Sequence, residues 1–112
     1  VLVSHNIVEC VDSEHPASLS PQIHDILRND LGFNGIIMTD DLAMEAITQY
    51  PDGQSAAVAA VLAGNDMLCC TDFTTQIPAV IDAVNAGTIG QERIEQSVLR
   101  ILASKIELGI IA

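Results

Sequence analysis

An α/β fold with a parallel sheet is the fold class this sequence predicts, and three observations lead to it. Short apolar runs alternate with longer segments of helical period along the whole chain. The apolar runs are continuous rather than alternating, which is the pattern of strands covered by helices on both faces. Each run stops at polar residues, Ser4-His5-Asn6, Thr39-Asp40-Asp41 and Thr71-Asp72. Functional groups in α/β sheets collect at the carboxyl ends of strands, so these three stops mark one candidate edge.

The elements follow in order. Val1 to Val3 reads as a β-branched strand, and a loop runs from its end through Pro16. "SPQIHDILRNDLG" then carries the marks of a helix. Ser20 is a good N-cap, Pro21 suits the first helical position, and Gly32 is a stop. Leu19, Ile23, Ile26, Leu27 and Leu31 fall on its apolar stripe. The second unit has a strand at Gly35 to Thr39, a short turn or helix near Ala43 to Gln49, and a break at Pro51-Asp52-Gly53. An alanine-rich helix from about Gln54 to Ala63 follows, closed by Gly64. The third unit has a strand at Asp66 to Cys70 and a helix around Ile77 to Asn85, ended by Gly87. A last amphipathic helix, from about Gln91 to Glu107, places Ile94, Val98, Ile101, Leu102 and Ile106 on its inner face.

Bulk composition narrows the functional classes. At 112 residues and 49% hydrophobic content the chain is one domain in size, with enough apolar mass for a core. Four Lys and Arg against fifteen Asp and Glu give a formal charge of -11, so no basic surface exists to neutralise nucleic-acid phosphates or anionic lipid headgroups. No window approaches the roughly twenty apolar residues that span a bilayer. Three cysteines, two of them adjacent, make no disulfide framework and fit a reducing compartment, which favours the cytoplasm. The chain opens without Met inside a strand-like run, and we expect a cut edge there.

The stretch "GIIMTDDLAM", residues 35–44, is the focus, because a core strand there ends in two carboxylates. Locally, Asp40 and Asp41 could cap and charge the first turn of a following helix. A wider pattern bears on the choice. "VLVSHNIV", "PASLSPQIHDILRNDLGFNGIIMTDDLAM", "AAVLAGNDML" and "QERIEQSVLRILASKIELGI" resemble, in order, the last part of the catalytic barrel of glycoside hydrolase family 3. "TDDLAM" resembles the β-N-acetylhexosaminidase branch more than the β-glucosidase branch, which more often carries Ser-Asp-Trp there.

The resemblance implies a partial (β/α)8 barrel. Residues 1–112 would be a C-terminal fragment of it, corresponding to strands six to eight, whereas a full barrel takes about 250 residues. It implies that Asp40 is the nucleophile, attacking an anomeric carbon to form a covalent glycosyl-enzyme that water hydrolyses with retention. Asp41 would support it or be solvated. His5, at the same rim, would line the substrate site. The substrate implied is a terminal N-acetylglucosamine glycoside of the cell-wall type, with no cofactor. A retaining site needs a second group about 5 Å away. In the branch resembled it is a His-Asp dyad in a Lys-His-Phe-Pro-Gly-His-Gly type loop, and these 112 residues contain no such segment.

Other residues read more plainly. His24 lies off the apolar stripe and is expected at the surface, while His15 precedes Pro16 with no evident partner. The five-residue gaps between His5, Cys10 and His15 match no zinc spacing, so no metal is expected. Cys69, Cys70, Met38 and Met44 read as packing residues. One alternative function is a receiver-type signalling module with magnesium-binding strand-end aspartates. Such modules also use a Lys at a late strand end, and the only Lys, Lys105, falls in the terminal helix. A lone three-unit segment would expose strand edges and apolar faces, and self-association is expected of it.

Overall fold

The computed structural model describes residues 1–44, 47 and 55–112. Two short strands pair in parallel: β1 (Leu2–Val3) lies beside β2 (Met38–Thr39), with Leu2 opposite Met38 and Val3 opposite Thr39. The third predicted strand is reduced to one parallel bridge, Met67 beside Met38, on the other side of β2. The physical reason is visible one residue further on. There the Cys69 N–H donates to the Thr39 side-chain Oγ1 at 3.1 Å instead of to a backbone carbonyl, so a hydroxyl ends the ladder. Both pairings are parallel and in chain order, as expected.

The helices stand where the caps predict, with adjusted ends. The predicted first helix begins as α1 (Pro21–Asp25) and widens into a π turn, Ile26–Asp30. The Ser20 hydroxyl accepts from Ile23 N–H at 3.3 Å, Pro21 takes the first turn, and Gly32 at φ 64° provides the left-handed exit. α2 (Ala56–Ala63) is capped by Ser55 and ends at Gly64, φ 122°. α3 (Phe73–Asn85) starts four residues before the predicted Ile77, because Asp72 occupies the N-cap position and its carbonyl takes Gln76 N–H. Pro78 therefore lies inside the helix rather than near its first turn. α4 (Gln91–Glu107) has the predicted bounds. The turn or helix expected at Ala43 to Gln49 and the break at Pro51-Asp52-Gly53 fall largely or wholly outside the described residues.

The core forms in three clusters, with α2 at the centre. Ala57 and Ala60 of α2 pack on Leu19, Leu42 and Ile47; Val58 and Val61 pack on Ala83 and Ile89; Val3, Ala17 and Ile37 pack between β2 and α1. Small alanines let neighbours approach α2 from several sides. Burying side chains of this size contributes roughly 1.5–3 kcal/mol each for Val, Leu or Ile.

Three sequence-based expectations are corrected. His24 is buried, 3% exposed, because its ring packs against Gly64 and its Nδ1 donates to the Ser20 carbonyl at 2.7 Å. Leu31 is exposed, since the π turn rotates it off the α1 stripe. The inner face predicted for α4 is largely bare: Val98, Leu102 and Ile106 are exposed, and only Ile94 and Ile101 are partly covered. At 17 residues, α4 is the longest helix among the described residues, and this stretch of it stays about half exposed. Val1 and Leu2 at the free edge of β1 are also exposed.

Candidate active site at the strand rim

β1 and β2 end side by side, and their pairing fixes the first two rim residues. Asp40 N–H donates to the Val3 carbonyl at 3.1 Å, extending the ladder one step and holding Asp40 at the strand end. His5, two residues after Val3, turns its ring across the rim. Its Nε2 lies 2.7 Å from the Asp41 carbonyl and its Nδ1 2.7 Å from the Ser18 hydroxyl. A carbonyl only accepts, so Nε2 carries the proton, and in the neutral ring the buried Ser18 hydroxyl donates to Nδ1. Ser18 is fixed in turn by its N–H to the Ser4 carbonyl at 3.0 Å.

Asp40 is half-buried, and its Oδ1 accepts from Asp41 N–H at 2.8 Å. Asp41 has partners on two other segments. Its carboxylate accepts from Ala43 N–H at 3.0 Å, from Thr71 N–H at 3.3 Å, and from the Thr71 hydroxyl at 3.0 Å. The Ala43 N–H foremost, with Thr71 and the nearby His5 ring, holds the Asp41 carboxyl below the usual carboxylate value in spite of its partial burial. Strand ends one, two and three are thus tied together at Asp41. Cys70 stands close by, its thiol pushed up by burial and then by Asp72, Asp41 and Cys69, so it is protonated and unreactive at neutral pH.

Two further clusters escaped the sequence reading. The carboxylate of Asp66, wholly buried at the amino end of the third segment, meets Arg28 at 2.5 Å and Arg100 at 2.9 Å. It also accepts from the Ser97 hydroxyl at 2.8 Å and from Ile37 N–H at 3.0 Å, with Arg93 3.9 Å away. Burial alone would raise its pKa, but these donors and cations bring it below the ordinary value. Three of the chain's four cationic residues thus converge on one carboxylate, and that scarcity was the only signal in the sequence. In the loop after β1, Asp12 accepts from Ser20 Oγ at 2.7 Å, from Glu14 N–H and His15 N–H, and from His15 Nδ1 at 3.0 Å. The Ser20 hydroxyl chiefly sets its pKa at about 2. His15, expected without a partner, is therefore held by Asp12.

A cleft of about 590 Å³ between α1 and α2, bounded in part by Leu19, Gln22, Leu42 and Ala59, includes neither Asp40 nor His5. Among the described residues no group of three His, Cys, Asp or Glu is placed to hold a metal.

A parallel α/β unit with a carboxylate, a histidine and threonines gathered at its strand ends has the rim of an α/β enzyme. The particular family comes from comparison. The sequence profile described as the glycosyl hydrolase family 3 N-terminal domain matches residues 1–104, and the chain belongs to that family. A β-hexosaminidase of Nitrosomonas eutropha is 32% identical over 105 residues, covering 88% of this chain and 30% of that protein. A β-hexosaminidase of Idiomarina loihiensis is 40% identical over 85 residues, covering 74% and 25%. The solved family 3 β-N-acetylglucosaminidase of Paenibacillus sp. FPU-7 superposes with a TM-score of 0.82 at 35% identity, over 93% of this chain and 21% of that one. The chain thus spans under a third of the length of these relatives. Membership of a glycosidase family sets aside the receiver-type alternative.

Proposed function

We propose that residues 1–112 are the closing part of a family 3 barrel, its strands six to eight, and contribute Asp40 as nucleophile to a retaining β-N-acetylhexosaminidase. The substrates are terminal N-acetylglucosamine glycosides such as those of cell-wall fragments. The observation that carries the reading is the placement of Asp40. It sits at the end of a parallel strand, next to the Asp41 whose carbonyl His5 holds, with one carboxylate oxygen already hydrogen-bonded. Family membership and the hexosaminidase relatives support the same chemistry.

In this reading Asp40 attacks the anomeric carbon and the leaving oxygen takes a proton from a group supplied by the rest of the barrel. Water then releases the sugar with retention. His5 lines the sugar subsite with its ring, both nitrogens being engaged at the rim. General acid-base assistance contributes about a hundred- to ten-thousand-fold, and the sugar-gripping loop is also absent, so the chain alone is inactive. Its bare α4 face and free β1 edge associate with further copies when the segment is isolated.

The test is turnover of p-nitrophenyl N-acetyl-β-glucosaminide. The 112-residue chain gives none, whereas a longer protein carrying this segment with the acid/base loop turns it over and loses activity on Asp40→Asn. Hydrolysis by the isolated chain that Asp40→Asn abolishes would show that the site assembles without the loop. Full activity of the longer protein after Asp40→Asn would remove Asp40 from the reaction.

A further inference from the structure

We infer that Asp41 is a positioning residue for Asp40, locking the nucleophile into one rotamer; this rests on the reading of Asp40 given above. Asp41 contributes through three groups at once. Its N–H, 2.8 Å from Asp40 Oδ1, occupies that oxygen and leaves Oδ2 as the one presented for attack. Its carbonyl accepts from His5 Nε2, anchoring the residue to the segment that follows β1. Its carboxylate takes the Thr71 N–H and hydroxyl, anchoring the same residue to the third strand segment, and takes Ala43 N–H, which closes the turn after it.

A residue held through both its carbonyl and its carboxylate has little freedom to turn about its own backbone, and the N–H that orients Asp40 is on that residue, one peptide unit before the held carbonyl. Orientation of this kind matters because reaction requires a near-attack geometry, and small displacements of a reacting group are costly. Removing the side chain of Asp41 leaves its N–H in place but frees the turn that aims it. The aim, not the donor, is what the side chain supplies.

The experiment reads the Hα–Hβ couplings of Asp40 by NMR in the 112-residue chain. Wild type is expected to show one large and one small coupling, the signature of a single χ1 rotamer. Asp41→Ala is expected to lose that pattern and give two intermediate couplings, while Asp41→Asn, which keeps an oxygen for Thr71 and Ala43, retains it. Amide shifts around Asp66 report whether the fold persists. Should Asp41→Ala not fold, Thr71→Val is read instead, with a partial loss expected. A single Asp40 rotamer in folded Asp41→Ala, an unchanged pattern in Thr71→Val, or averaging already present in wild type would overturn the inference. None of these outcomes depends on whether Asp40 reacts, which the turnover assay decides separately.

Discussion

Substituting Asp66 with Ala removes the acceptor that three arginines share, and the cost can be worked from their remaining contacts. Arg28 keeps the Phe33 and Gly35 carbonyls, and Arg93 keeps those of Val61 and Asn65. Arg100, whose guanidinium pairs with Asp66, is 29% exposed and turns to water. Deleting one member of a buried ion pair costs about 3–5 kcal/mol. The partial exposure of the arginines places this site at the low end, while the orphaned Ile37 N–H adds a penalty of its own. We expect a loss of about 3 kcal/mol, or roughly 12–24 °C in Tm at ~4–8 °C per kcal/mol for a domain of this size. Urea unfolding followed by far-UV circular dichroism at neutral pH measures it. Asp66→Asn, which keeps an acceptor for Ile37 and Ser97, should lose less. A loss below about 1 kcal/mol for Asp66→Ala would show that the carbonyls, not the carboxylate, hold the arginines, and that the cluster is no keystone.

Acid should unfold the chain over a low window. The pKa of Asp12 is about 2, and those of Asp41 and Asp66 lie below the ordinary value, so the stability they contribute is complete above about pH 4 and is lost as pH falls through the folded-state values. An acid titration by circular dichroism should be shallower between those limits in Asp12→Asn; an identical slope would contradict the Asp12 cluster. Gly64→Ala places a Cβ 3.1 Å from that of His24 at φ 122°, and should cost at least the ~1–2 kcal/mol of a left-handed residue in chemical denaturation. No loss would mean that His24 does not pack there. Light scattering at high concentration should give a mass above the 11.9 kDa of one chain and fall toward it in Leu102→Glu. A monodisperse wild-type monomer would end the self-association proposal.

What could be read from the sequence was local. Ser20, Pro21 and Gly32 announce α1 because capping acts within a few residues, and the bounds of α4 follow from an uninterrupted helical period. Ile37 and Thr39 announce a buried strand because both faces are apolar. What could not be read depends on distant partners. His24 is buried by Gly64, forty residues on, and Asp66 is satisfied by arginines on two other elements. The third strand looked as regular as the second, yet the Thr39 hydroxyl cuts its ladder short. At the rim the acidic pair was legible as a site by resemblance, but not the division of labour within it. That Asp41 binds Thr71 follows from the register of the third segment, which no spacing within "TDDLAM" encodes.

The central claim, that Asp40 forms a bond to sugar, is tested most directly by trapping it. A fluorinated N-acetylglucosaminyl fluoride, which forms the glycosyl-enzyme readily and releases it slowly, is added to a longer protein that carries this segment and the acid/base loop, and the digested product is sequenced by mass spectrometry. The sugar is predicted on Asp40, and absent from the Asp40→Asn protein. A label on Asp41 or on another carboxylate, or one that survives Asp40→Asn, would contradict the account.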